Sequence, residues 1–127
     1  MGERPATTDP QTSTALPAER LVVGKSLGSL ACGVAADRNL AAAWLTPLLT
    51  YDQVARSLRR AKAPALLVGG SADALWDAQV AESLHHDVLE IPSADHALEL
   101  AEDTVGSVDV LRQVVARLHR FIGSLDH

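Results

Sequence analysis

The sequence predicts an α/β fold in which a parallel sheet of about four strands is flanked by helices. Short apolar runs alternate along the chain with segments whose apolar residues recur every three or four positions. Each apolar run stops at a glycine or a proline, and these residues commonly end strands. An alternating order of strands and helices produces a parallel sheet covered by helices, with right-handed crossovers.

The composition indicates one globular domain with an aliphatic core. A chain of 127 residues is long enough for one domain and too short for two. Apolar residues make up 47% and aromatic residues only 3%, so leucine, valine and alanine must fill the core. The net charge of -5 at pH 7 makes binding to nucleic-acid phosphates unfavourable.

The number of cysteines and the hydropathy of the chain indicate in which cellular compartment the protein is expected. Cys32 is the single cysteine, which excludes an internal disulfide and fits a reducing, cytoplasmic location. No apolar run approaches the roughly 20 residues of a membrane span, and the N-terminus lacks the apolar core of a secretory signal. Histidines, cysteines and carboxylates do not occur at metal-ligand spacing, so we expect neither a metal nor a cofactor.

The first half of the chain begins with a polar arm. Residues 1–18 are rich in threonine and proline and predict a mobile arm, and residues 19–127 predict the folded domain. "RLVVG", residues 20–24, predicts a buried strand that stops at Gly24. The following apolar residues are spaced as on one face of a helix: Leu27, Leu30, Ala31, Val34 and Ala35.

Three more strands and three more helices follow. "LAAAWLTP" (40–47), "APALLVGG" (63–70) and "DVLEIP" (87–92) predict strands, each closed by proline or glycine. Thr50 and Gln53 match a capping box that opens a helix. A further helix is predicted from about Asp77 to Leu84. The last helix has an apolar stripe at steps of three and four: Val108, Leu111, Val115, Leu118 and Ile122.

"LVVGKSLGSLA", residues 21–31, carries two overlapping motifs. "GKS" ends a phosphate-binding loop, but such a loop needs a glycine five residues before Gly24, where this chain has Glu19. The intervening residues are strand formers and predict no loose phosphate cradle. A nucleotide-binding module therefore remains only a third hypothesis.

"GKSLG" also matches G-x-S-x-G, the strand-to-helix turn that presents a nucleophilic serine. Gly24 and Gly28 are the small residues that this turn needs on either side of Ser26. Ser26 would adopt a strained backbone with its hydroxyl lifted from the sheet, and the Leu27 N–H would face an oxyanion. The alternative interpretation is a glycine-rich corner in which Ser26 caps a helix.

A nucleophilic serine needs a histidine and a carboxylate. Of the five histidines, only His96 follows a strand at the carboxyl edge of the predicted sheet, where such folds place their chemistry. Asp73 lies in the neighbouring strand-tip loop and is the favoured acid. Asp77, at the predicted helix start, and Asp95, beside His96, are the alternatives.

Three segments resemble the α/β-hydrolase superfamily: "LVVGKSLGSLA", "PALLVGGSADALWD" and "VLEIPSADHALEL". They are similar to the nucleophile, acid and histidine blocks of small bacterial members of the dienelactone-hydrolase or serine-aminopeptidase-like type. The resemblance covers about residues 18–123 and implies a Ser26–Asp73–His96 triad in that chain order. It implies a serine hydrolase, esterase-like, acting on small acyl esters or related bonds.

The chain departs from that family upstream of the turn. Family members place about four strands and two helices there, including the loop that gives the first oxyanion donor. This sequence therefore resembles the C-terminal half of an α/β-hydrolase, with an exposed edge strand that invites pairing with a second copy. The alternative function is a non-catalytic half-domain that acts by self-association or protein interaction. Lys25 and Trp76 are candidate substrate-lining residues.

Overall fold

The structure is a computed structural model, and it describes residues 21–125. The predicted arm at 1–18 lies outside the described residues. Four strands, β1 to β4, are parallel and adjacent in chain order. Their bounds are Leu21–Lys25, Ala41–Leu45, Ala65–Gly70 and Asp87–Ile91. The predicted α/β class with a four-stranded parallel sheet is therefore confirmed.

Helices connect consecutive strands and also close the chain. A 3-10 helix at Ser26–Ala31 runs directly into α1 at Cys32–Asp37. The other helices are α2 at Asp52–Arg60, α3 at Ala78–Ser83 and α4 at Thr104–Ser124. None of the helices within residues 21–125 combines the length and the apolar character that a membrane span needs.

The core has two layers, one on each face of the sheet. Side chains alternate along each strand, so Leu67 of β3 joins the layer that contains α1, α2 and α3, whereas Leu66 and Val68 join the layer under α4. The strand β3 is buried along its whole length, as its continuous apolar run requires for a central strand. The helix α4 packs on β3 and β4.

The first predicted helix forms, but Ala35 is the only residue of its predicted apolar face that is buried. Ser29, Cys32 and Ala35 are buried, whereas Leu27 is 70% exposed and Val34 is also exposed. Residues three apart stack on the same side of a 3-10 helix. This geometry turns Ser29 and Cys32 inward and leaves the other apolar positions facing solvent.

The helix α4 differs from its predicted orientation in the same way. Val110, Val114 and Phe121 are its buried residues, whereas Val108, Leu111 and Val115 of the predicted stripe are 62%, 63% and 56% exposed. The chain therefore has two apolar stripes on α4, and the sheet buries only the one that includes Phe121. Periodicity alone did not distinguish them.

The predicted capping box is also wrong. The helix α2 begins at Asp52, one residue later than the motif requires, and no side chain caps its N-terminus. By contrast, the Asp77 side chain caps α3 by accepting a hydrogen bond from the Val80 N–H at 3.1 Å. Asp77, one of the three candidate acids, therefore serves as the N-terminal cap of α3.

Candidate active site

Ser26 lies where β1 meets the 3-10 helix. Its φ is 51°, in the left-handed region that costs a non-glycine residue about 1–3 kcal/mol. The turn needs a glycine at position 24, because any larger residue would clash with its surroundings. A Cβ on Gly24 would lie 2.5 Å from the Trp44 ring and 3.1 Å from the Gly28 carbonyl oxygen. Gly28 has no described atom within 4 Å of the position that its own Cβ would take.

His96 lies in a small closed loop after β4. Asp95 and Glu99 close the loop through backbone bonds, and the Asp95 side chain accepts hydrogen bonds from the N–H groups of Ala97 and Glu99 at 2.9 and 3.0 Å. An antiparallel bridge between Ala94 and Leu100 ties the base of the loop. The Asp95 side chain therefore stabilises the loop by accepting hydrogen bonds from its backbone N–H groups.

The imidazole of His96 contacts two of the predicted site residues. Its Nε2 is 2.6 Å from Ser26 Oγ, and its Nδ1 is 2.7 Å from Asp73 Oδ2. With the proton on Nδ1, the ring donates to Asp73 and accepts from the Ser26 hydroxyl. Of the three candidate acids, Asp73 is the one that meets the ring.

Asp73 is held rigidly under the imidazole. Its side chain is 1% exposed, whereas that of His96 is 38% exposed. Its second carboxylate oxygen, Oδ1, accepts a hydrogen bond from the Leu75 N–H at 2.8 Å. Both oxygens of this buried carboxylate are therefore hydrogen-bonded, as a buried charge requires.

The loop with Asp73 and the loop with His96 touch through their backbones. The Ala72 N–H donates to the Ala94 carbonyl at 3.0 Å, and the Ser93 N–H donates to Ser71 Oγ at 2.7 Å. Gly70 lies against the same carbonyl, since a Cβ there would be 2.1 Å from Ala94 O. The absence of a side chain at Gly70 lets the two loops approach.

Trp76 is a core residue that anchors the acid loop. Its ring packs over Gly69, where a Cβ would lie 2.0 Å from the indole, and its Nε1–H donates to Glu90 Oε1 at 2.7 Å. Its backbone N–H also bonds the Asp73 carbonyl at 3.1 Å. Of the two candidate substrate-lining residues, Lys25 borders a cleft, whereas Trp76 is packed in the core.

Ser29 is a site residue that the sequence analysis missed. Its buried hydroxyl donates to the Ser26 carbonyl at 2.7 Å and accepts from the Leu48 N–H at 3.1 Å. It thereby joins the turn at Ser26 to the segment after β2. The sequence signal is a serine three residues after Ser26, a polar position that the spacing of apolar residues does not reveal.

Replacing Ser29 by alanine is expected to lower the free energy of unfolding by about 1–3 kcal/mol. The substitution leaves the Leu48 N–H buried without its hydrogen-bond acceptor, which costs its desolvation penalty. Chemical denaturation of the variant measures the change. The exposed Ser83, replaced by alanine, is the control, and equal stabilities of the two variants would contradict the assigned role.

Leu27 lies in the 3-10 helix that begins at Ser26, and Cys32 is the first residue of α1. The Leu27 N–H belongs to the first turn, where N–H groups have no partner within the helix. Cys32 is buried, and this burial raises the pKa of its thiol to about 12. The thiol therefore stays protonated and unreactive at neutral pH.

Within residues 21–125, no three histidine, cysteine or acidic side chains gather closely enough to hold a metal ion. The phosphate-loop interpretation of "GKS" also finds no support there, because the residues from Leu21 to Lys25 form β1. The chemistry that this edge of the sheet offers is that of a hydroxyl, an imidazole and a carboxylate in series.

Comparisons with known proteins agree on the fold. No family model matches the sequence, and no curated protein matches it. Several solved structures are similar in fold, including the following two. An alpha-beta serine hydrolase homologue from Coxiella burnetii matches with a TM-score of 0.57 and 20% identity over 76% of this chain and 47% of that one. The esterase domain of a Rhodothermus marinus protein matches with a TM-score of 0.53 and 18% identity over 80% of this chain and 60% of that one.

The chain therefore has an α/β-hydrolase-like fold, and the resemblance inferred from its sequence is confirmed at that level. It spans about half of the length of the Coxiella burnetii protein and three-fifths of the Rhodothermus marinus domain.

Proposed function

We propose that this protein is a serine hydrolase, esterase-like, acting on small acyl esters or related bonds. Ser26 is the nucleophile, His96 the general base and Asp73 the acid that orients the imidazole. The observation that carries the proposal is the continuous series of contacts from Ser26 Oγ to His96 Nε2 and from His96 Nδ1 to Asp73, at 2.6 and 2.7 Å. The hydrolase-like fold supports it.

The reaction proceeds in two acyl transfers. His96 Nε2 takes the hydroxyl proton as Ser26 Oγ bonds to the ester carbonyl carbon, and the carbonyl electron pair moves to its oxygen. The ester C–O bond then breaks, and the alcohol leaves with the proton from His96. Water attacks the acyl-serine by the same route, releasing the carboxylic acid and restoring Ser26. The Leu27 N–H is the proposed oxyanion donor.

A fluorophosphonate probe followed by peptide mass spectrometry tests the proposal. Tryptic cleavage after Lys25 and Arg38 isolates a peptide that contains both Ser26 and Ser29, and its fragment ions distinguish them. We expect the label on Ser26 and its loss in His96→Ala. A label on Ser29, no label, or a label that His96→Ala leaves unchanged would overturn the proposal.

Pairing with a second copy is the second candidate function, either in addition to catalysis or in place of it. Within residues 21–125, β1 bonds to β2 on one side and has no described strand on the other. Val23 of β1, and Leu27 and Leu30 of the 3-10 helix that follows it, are exposed apolar residues. A second copy would cover the edge and supply a further oxyanion donor. Sedimentation equilibrium tests this, and a monomer at all accessible concentrations would exclude it.

The same reasoning extends to the partners and location of the protein. A small-molecule acyl substrate fits the proposed chemistry, and the acidic net charge of -5 disfavours nucleic acid. The proposed cytoplasmic location depends on the single cysteine, Cys32, because a reducing compartment suits a chain without disulfides.

A further inference from the structure

A cleft of about 280 Å³ is lined by the sequence neighbours of Ser26 and His96. Lys25, which precedes Ser26, and Ala97, which follows His96, both border it, although Ser26 and His96 themselves do not. Residues of α4 form another part of its lining. The cleft therefore adjoins the two segments that carry the hydroxyl and the imidazole.

The walls of this cleft are mostly apolar and aliphatic. They are formed by Leu45, Leu98, Val108, Leu111 and Val114. Val108 and Leu111 are more than 60% exposed, although other residues of the same helix are buried. Solvent-exposed aliphatic side chains around a concave surface favour an apolar ligand, because its binding removes both surfaces from water.

The polar residues of the cleft do not indicate that its ligand is polar. The Ser107 hydroxyl donates to the carbonyls of Leu100 and Asp103 and accepts from the Leu100 N–H, so its hydrogen-bonding capacity is used within the protein. Lys25 and Glu99 carry opposite charges. The net character of the lining is thus neutral and apolar.

We propose that this cleft binds the aliphatic chain of the ester substrate and gives the enzyme a preference for unbranched chains of medium length. The proposal rests on the proposed function, since it assigns the substrate class of the same site. The volume of about 280 Å³ is several times the roughly 30 Å³ that one water-sized group occupies in a liquid, so the cleft has room for a chain of several carbons.

Hydrolysis of p-nitrophenyl esters from acetate to dodecanoate tests the preference. We expect kcat/KM to rise about two- to fourfold per added methylene, to peak near hexanoate or octanoate, and to fall beyond it. A second series, acetate esters of alcohols of increasing length, shows whether the chain belongs to the acyl or the alcohol part. A rise in either series supports the proposal, and two flat series would overturn it.

A paired substitution on α4 locates the chain. Leu111→Trp fills part of the cleft and is expected to lower the ratio of kcat/KM for hexanoate over acetate by about tenfold or more, since it removes room for roughly two or more methylenes. Val105→Trp is the matched control, because Val105 is 83% exposed on the same helix and does not border the cleft. Both sites are exposed, so neither change disturbs the core.

The outcomes separate the two proposals. Labelling of Ser26 by a fluorophosphonate with equal hydrolysis of all chain lengths would overturn the cleft and leave the hydrolase intact. An unchanged hexanoate-to-acetate ratio in Leu111→Trp would also overturn the cleft. Absence of both labelling and hydrolysis would instead overturn the proposed function on which it depends.

Discussion

Replacing Ser26 by alanine is expected to lower kcat/KM for ester hydrolysis by on the order of 10⁶-fold, and replacing His96 by alanine by a similar factor. The double variant is expected to be no slower than either single variant. The hydroxyl and the imidazole act as one unit, since Ser26 Oγ lies 2.6 Å from His96 Nε2. Once one of the two groups has been removed, removal of the other causes no further loss of activity. Steady-state kinetics on one ester measures all three.

Two exposed residues provide matched controls for this experiment. Ser83→Ala and His119→Ala make the same chemical changes on α3 and α4, at exposed positions that contact neither Ser26 nor Asp73 in the hydrogen bonds described above. We expect both to retain full activity. Losses that multiply in the Ser26→Ala/His96→Ala double variant would mean that the two residues act independently, contrary to the proposed mechanism.

Replacing Gly70 by alanine is the second substitution with a large expected effect. The new methyl would lie 2.1 Å from the Ala94 carbonyl oxygen and 2.6 Å from its carbon, which are backbone atoms and cannot rotate away. We expect a loss of about 1–3 kcal/mol in the free energy of unfolding from overpacking. We also expect roughly a 10²-fold loss of kcat/KM, because the loop that carries His96 must shift by about 1 Å.

Denaturation and ester hydrolysis measured on the same preparation of Gly70→Ala check both effects. Gly123→Ala is the control, since no described atom lies within 4 Å of its added methyl, and alanine favours the helix more than glycine does. The contact between the two loops would have no role if Gly70→Ala were as stable and active as Gly123→Ala.

The fold could be predicted from the sequence because its strands are short apolar runs that stop at glycine or proline. The run that forms β3 is buried along its whole length and ends at Gly70, and Gly24 lies one residue before the end of β1. The positions of Ser26, Asp73 and His96 also follow from the sequence, because parallel strands bring their carboxyl ends to one edge of the sheet.

The orientations of the helices could not be predicted in the same way. The helix α4 has apolar residues on two of its faces, and only the sheet selects Val114 and Phe121 over Leu111 and Val115. The short 3-10 helix after Ser26 buries Ser29 and leaves Leu27 outside. The composition of so short a segment does not reveal whether it forms a 3-10 helix, with three residues per turn, or an α-helix, with 3.6.

The contacts between loops could not be predicted from the sequence either. The sequence favours Asp73 over Asp77 and Asp95 on position alone, and only the structure shows what each contacts: His96, the start of α3 and the loop backbone, respectively. The close approach of Gly70 to Ala94 depends on two segments more than twenty residues apart, whose packing no local pattern encodes.

The rate at which a fluorophosphonate reacts with Ser26 in two asparagine variants tests whether Ser26, His96 and Asp73 act together. Asp73→Asn removes the carboxylate that holds the imidazole, and we expect the rate to fall by about 10²-fold or more. Asp95→Asn keeps a side-chain oxygen for the loop backbone, and we expect a rate close to that of the unaltered protein. A rate that Asp73→Asn leaves unchanged, or that Asp95→Asn lowers instead, would contradict the claim that Ser26, His96 and Asp73 act together.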